Sequence, residues 1–183
     1  MKQTTPARAA AIAFLLCGSV AATSSAQTIQ RLTVPGINNF WHVDDTVSTG
    51  GTITSREMAV PELKRRGVRT VINLAGGPEA EAERAAVEQA GLKYFLFAIT
   101  PTDTTPIEPF LKAANDRANY PLFIHSGAGH RAAMAWMIKR VMVDGWTIEK
   151  AGIEAASDGL VLDNVMAPVW WKFARDYFNA HGK

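Results

Sequence analysis

The chain has 183 residues, 48% hydrophobic and 20% charged, enough for a single globular domain with a sizeable core. Its 19 basic and 17 acidic residues become 17 against 17 once Lys2 and Arg8 of the first 26 residues are set aside, and a formally neutral domain argues against nonspecific binding of nucleic acid or acidic lipid. The single cysteine, Cys17, lies in that same leader, so residues 27–183 have no disulfide, no thiol nucleophile and no thiolate for a metal.

The leader itself carries a targeting pattern. Lys2 and Arg8 form a positive start, residues 9–20 are mostly apolar, and Ser24-Ser25-Ala26 supplies small residues at a cleavage point. This is the pattern of a secretory signal peptide over residues 1–26. It predicts a mature chain beginning near Gln27, secreted or periplasmic, with no membrane association after cleavage. Leu16, before Cys17, has the wrong size for a lipoprotein processing site.

The rest divides into strands and helices in alternation. Residues 27–39 are expected to be an extended lead-in, with Phe40-Trp41-His42-Val43 as a first strand and residues 44–52 as a loop or hairpin. Thr54 and Glu57 have capping-box spacing, which predicts a helix to Arg66 with Gly67 past its end and with Met58, Leu63 and the stem of Lys64 or Arg65 facing inward. Residues 68–74 are a strand of β-branched residues, residues 79–90 an acidic-started helix, and residues 93–98 a further strand. Thr105-Pro106-Ile107-Glu108 is a second capping box before a helix to about Ala118. Residues 121–125 are a short apolar strand, and residues 131–143 a helix that is apolar over most of its surface and hence buried. Thr147 caps a short helix to about Ala156, and residues 165–180 form a last helix with Val169, Trp170, Phe173 and Tyr177 on one stripe. The alternation predicts an α/β layer fold with a mainly parallel sheet, in which ligands collect beyond the carboxyl ends of the strands.

Chemistry concentrates after the apolar strand, in His125-Ser126-Gly127-Ala128-Gly129-His130-Arg131. Small residues let several backbone N–H groups converge, and such a nest at a helix N-terminus attracts an anion. Arg131 adds a planar fork that can hold two oxygens of a phosphoryl group. The same glycines would also serve an ordinary strand-to-helix turn.

On these residues the chain resembles the protein tyrosine phosphatase superfamily, most of all its bacterial dual-specificity-phosphatase-like branch. The likeness also takes in Phe40 to Asp44, Pro61-Glu62-Leu63, the Val71-Ile72-Asn73-Leu74 strand, Gly91-Leu92-Lys93-Tyr94 and Gly145-Trp146-Thr147, and so nearly all of residues 27–183. The resemblance implies a three-layer phosphatase-like fold over 27–183, no metal and no other cofactor. It implies a phosphate-binding loop of Ser126, Gly127, Ala128, Gly129, His130 and Arg131, and a partner that is a phosphate-bearing small molecule or a phosphoprotein. In that family a cysteine thiolate attacks phosphorus, an arginine holds the phosphoryl oxygens and a loop aspartate protonates the leaving group. Ser126, Arg131 and Asp103 occupy the corresponding places.

Two departures stand out. Four residues separate Ser126 from Arg131, where most of the family has five, and Ser126 stands where the cysteine would be. A nest of N–H dipoles can bring a thiol to its thiolate near neutrality, whereas a serine hydroxyl starts far higher and needs an adjacent base. The nearby base is His130. The expectation is therefore weak or absent phosphomonoesterase activity with anion binding retained. The alternative is a pseudophosphatase that binds a phosphorylated or sulfated ligand without turnover, and a serine hydrolase using Ser126 and His130 comes third. In a shifted register His125 would take the nucleophile's place; otherwise it is a strand-end histidine bonded to backbone. Asp103 could equally be a turn aspartate beside Thr102 and Thr104. His42, Asp44 and Asp45 could border the pocket, without metal-ligand spacing.

Overall fold

A computed structural model describes residues 28–161 and 166–183. The expected signal peptide at 1–26 and the start of the last helix at Val165 lie outside the described residues. Six strands, β1 (Gln30–Val34), β2 (Ile37–Asp44), β3 (Val47–Gly50), β4 (Thr70–Asn73), β5 (Lys93–Leu96) and β6 (Leu122–His125), form one sheet in the order β1-β2-β3-β6-β4-β5. The β1-β2-β3 part is antiparallel, while β3, β6, β4 and β5 run parallel, so the sheet is mainly parallel with an antiparallel wing.

That wing refines the expected lead-in and hairpin. Residues 30–34 pair as an edge strand, and the polar stretch after Asp44 contains β3, which docks beside β6. Thr and Ser in β3 hide a strand that composition alone marks as loop.

Six α-helices of the described residues cover the faces: α1 (Arg56–Arg65), α2 (Ala80–Gln89), α3 (Ile107–Asn115), α4 (His130–Met142), α5 (Ile148–Ser157) and α6 (Ala167–Ala180). Alternation along β6 decides which face meets which helices. Leu122 and Ile124 join the core built with α3, α4, α5 and α6, and Phe123 joins the core built with α1 and α2. The result is three layers, with all four residues of the central strand β6 buried, as a strand covered on both faces requires. α4 buries nine of its thirteen residues, including Trp136, which fits its apolar surface.

Neither capping box forms. Thr54 is tied to the strand edge through its N–H on the Gly36 carbonyl, so the cap position falls on Ser55, whose hydroxyl turns to Glu57. Thr105 gives its hydroxyl to Asp103, and α3 begins after Pro106 without a side-chain cap. Thr147 does cap α5, accepting from the Lys150 N–H at 3.2 Å. On α1 the inward residues are Ala59, Val60 and Leu63. Met58 is 54% exposed, and Lys64 and Arg65 also face solvent. On α6 Trp170, Phe173 and Tyr177 are buried and Val169 is half-buried.

Candidate anion site at the end of the central strand

Strand register sets the platform. Gly50, Asn73 and His125 are level across β3, β4 and β6, with Leu96 beside Asn73, so the carboxyl ends of four parallel strands finish together. The chain then makes the 126–129 loop and enters α4. Gly129 sits at the helix start with φ 101°, in the left-handed region that a side chain resists.

The loop is tethered on one side by the hairpin. The Gly127 carbonyl accepts from the Thr52 N–H at 2.8 Å and its hydroxyl at 2.9 Å, and the Ala128 carbonyl accepts from Asn39 Nδ2 at 3.2 Å. The approach is close: a Cβ on Gly51 would stand 3.0 Å from the Gly127 oxygen and 2.9 Å from that of Asn38. Across a planar trans peptide, N–H and C=O point opposite ways, so a Gly127 carbonyl held by Thr52 turns the Ala128 N–H inward. The first turn of α4 adds N–H groups that have no intrahelical acceptor.

The nest is narrower than the sequence suggests. Ser126 N–H is given to the Gly50 carbonyl at 3.1 Å, and the Gly129 N–H reaches back to the Ser126 hydroxyl oxygen at 3.3 Å. Ser126 itself is only 2% exposed. The hydroxyl is therefore already part of the loop's own bonding, at the floor of the surface that a ligand would meet.

Arg131 closes the site. Its Nη1 donates to the Leu74 carbonyl at 2.7 Å, and its guanidinium carbon lies 4.9 Å from the centre of the Trp170 ring. Its Nε is buried with no acceptor among the described residues. Burial lowers the guanidinium pKa from its ordinary value, although an arginine stays charged at any working pH. A half-buried cation with a spare N–H is a demand for an oxyanion. Ser126, Gly127, Ala128, His130 and Arg131, with Met166 and Trp170, line a cavity of about 100 Å³ there.

A buried polar network supports the loop from the α2 side. His125 points to the same face as Phe123, and its Nε2 lies 2.8 Å from Glu83 Oε1, so its partner is a carboxylate and not the expected backbone group. Asn73 Nδ2 donates to Glu83 at 3.1 Å and lies 3.0 Å from the Tyr94 hydroxyl, and Asn73 Oδ1 accepts from the N–H groups of Ala75 and Gly76. Burial by itself would raise the Glu83 carboxyl, but the hydrogen bond and charge of His125, then Tyr94 and Asn73, hold it below the usual range. Burial, followed by the Glu83 charge, pushes the Tyr94 hydroxyl up. Glu83 carries no signal in the sequence, since one more acid on an acidic helix looks like a solvated face. With its Nε2 committed to Glu83, His125 is poorly placed to act as a nucleophile.

Other expected residues lie elsewhere. The Asp103 carboxylate accepts from the Thr105 hydroxyl at 2.7 Å and N–H at 2.9 Å, the arrangement of a turn aspartate. The Thr105 contacts hold it below the usual carboxylate range, and it is not among the residues lining the cavity. His42, Asp44 and Asp45 border a different cavity with Pro121 and Leu122, at the opposite end of β6. Asp44 there pairs with Arg140 at 3.1 Å. His130, the first residue of α4, lines the loop cavity.

No protein-family model matches the chain, and no curated protein matches it significantly. Solved structures do. A DUF442 protein from Shewanella putrefaciens CN-32 superposes with a TM-score of 0.63 at 19% identity, covering 79% of this chain and 94% of its own. TpbA of P. aeruginosa gives 0.62 at 20% identity, covering 82% and 91%. The core catalytic domain of the PP-IP phosphatase SIW14 from S. cerevisiae, in complex with citrate, gives 0.58 at 15% identity, covering 74% and 84%. Likeness at this level of identity establishes the fold: three layers around a mainly parallel sheet, as in phosphatases of the tyrosine-phosphatase type.

Proposed function

We propose that the chain is an exported phosphatase-like protein of the bacterial dual-specificity type, in which Ser126 stands where relatives carry the nucleophilic cysteine. Its loop binds a phosphorylated ligand and turns it over slowly or not at all. The observation that carries this reading is the position of Arg131, fixed by Leu74 and Trp170 at the rim of the 126–131 loop with its buried Nε unmatched. That arrangement is suited to a tetrahedral anion, which the inward N–H groups would grip from the other side.

Support for weak turnover comes from the nucleophile and the acid together. The Ser126 side chain is nearly buried, and its hydroxyl starts so far above a thiol that one N–H from Gly129 does not bring it to the alkoxide. Asp103, ionised and engaged by Thr105, is ill-suited to donate a proton. Binding without turnover is accordingly the second reading. It is also favoured by a solved cysteine-to-serine variant of the neighbouring TpbA in complex with pTyr. A serine hydrolase remains the third, and a fluorophosphonate probe that leaves Ser126 unlabelled removes it.

The test is Ser126→Cys assayed on an aryl phosphate. A large gain in turnover over the wild-type chain, abolished by adding Arg131→Ala, is the expected result. A Ser126→Cys protein that is folded, binds phosphate and stays inactive would confine the chain to binding. One that neither binds nor hydrolyses would remove the phosphatase-like reading.

A further inference from the structure

Next to the loop cavity lies a larger one of about 300 Å³, and Ala128 and His130 line both. Its remaining wall comes from opposite ends of the fold: Arg31 and Trp41 from β1 and β2, and Asp158 and Gly159 from the end of α5. This size sits at the lower end of small-molecule sites, roughly 300 to 1,000 Å³.

Arg31 is held in place by a side-chain amide and an aromatic ring. Its Nη2 donates to Asn39 Oδ1 at 2.5 Å, and its guanidinium carbon lies 5.8 Å from the centre of the Trp41 ring. Among the described residues no carboxylate pairs with it. Asn39, held at φ 48°, passes the contact on to the Ala128 carbonyl of the loop. Asp158 is the unusual member of the wall. It is 2% exposed, its Oδ1 accepts from the Thr49 hydroxyl, and its Oδ2 is buried without a partner among the described residues. Burial raises its carboxyl well above the ordinary range, the Thr49 hydrogen bond opposes this, and the Glu154 charge adds to it. Burial thus disfavours the charge that would repel an anion in the cavity.

We infer that this second cavity takes a second anionic group of the same ligand, so that the ligand is a small molecule carrying two anionic groups a few atoms apart. The inference rests on the phosphate-pocket reading and deepens it. One anion fills the loop pocket at Arg131, the chain crosses the turn at Ala128 and His130, and the other anion meets Arg31. Among the described residues of the wall, Arg31 is the cation that faces the second anion, and burial disfavours the charged form of the Asp158 carboxyl.

Calorimetry on the purified chain distinguishes the outcomes, using butyl phosphate and a series of alkanediol bisphosphates with two to six carbons between the phosphates. At least one bisphosphate should bind roughly tenfold tighter than butyl phosphate, the worth of one good charge-assisted contact. That ratio should fall to near one in Arg31→Ala and in the cavity-filling Val161→Trp, and persist in Arg175→Ala, a cation removed elsewhere. If no bisphosphate outbinds butyl phosphate, or if the gain survives Arg31→Ala or is lost equally in Arg175→Ala, the second site is refuted. If butyl phosphate shows no Arg131-dependent binding, the phosphate pocket itself fails and takes this inference with it.

Discussion

The guanidinium carbon of Arg131 lies over the Trp170 ring, 4.9 Å from its centre, and this contact holds the cation at the loop rim. Preorganisation of this kind spares a ligand the cost of ordering a long side chain. Trp170 belongs to α6, the last element of the chain, so the site needs the C-terminal helix docked on α4. Removing the aromatic face should weaken anion binding several-fold, since cation–π contacts contribute about 0.5–2 kcal/mol. Trp170→Leu should show this loss and Trp170→Phe should recover most of it; equal affinity in the two variants would deny the ring its role.

Glu83 joins α2 to β4, β5 and β6 through Asn73, Tyr94 and His125. Glu83→Ala strands His125 and Asn73 in the core and should cost about 3–5 kcal/mol of stability. Glu83→Gln, which keeps an acceptor for His125, should cost much less. The folded carboxyl titrates below its unfolded value, so its contribution is present above the ordinary carboxylate range and is lost as pH falls through the folded pKa. Urea midpoints measured from neutral pH downward should therefore fall more steeply for the wild type than for Glu83→Gln.

Asp158 has the opposite sign. Its folded pKa is raised, so the folded chain binds more protons than the unfolded one, and stability declines as pH rises from about 4 toward the folded value. Asp158→Asn keeps an acceptor for Thr49 and abolishes this decline. Thermal scans should find the variant more stable at neutral pH, by about 1 kcal/mol or roughly 3 °C. The difference should vanish below the ordinary carboxylate range. A variant less stable at neutral pH would show that the carboxyl is ionised and paired.

Gly129 turns the chain into α4 at φ 101°, and a Cβ there would meet nothing closer than 3.4 Å. Gly129→Ala is thus a test of backbone strain with little steric clash, expected to cost about 1–2 kcal/mol. The reorganised loop should lose anion affinity by more than that loss of stability explains. A variant with wild-type affinity would mean that the loop's curl is not what binds.

The loop was legible because its code is local: small residues, a helix start and an arginine in fixed sequence. The parallel strands β4, β5 and β6 were legible for the same reason, as runs of apolar residues. What stayed hidden depends on distant partners. β3 reads as loop until β6 pairs with it, and Glu83 reads as surface until His125 arrives from 42 residues away. Thr54 and Thr105 have the spacing for caps, but the Gly36 carbonyl and the Asp103 carboxylate compete for them. The cavity at Arg31 joins residues from both ends of the chain, a closeness that no local pattern encodes.

The most direct measurement is a calorimetric titration of phosphotyrosine into the wild-type chain and into Arg131→Ala. A single saturable site in the wild type, weakened more than about tenfold without Arg131, is the predicted result. Equal affinity in the two proteins, or no binding to the wild type, would contradict the account of the 126–131 loop as an anion site.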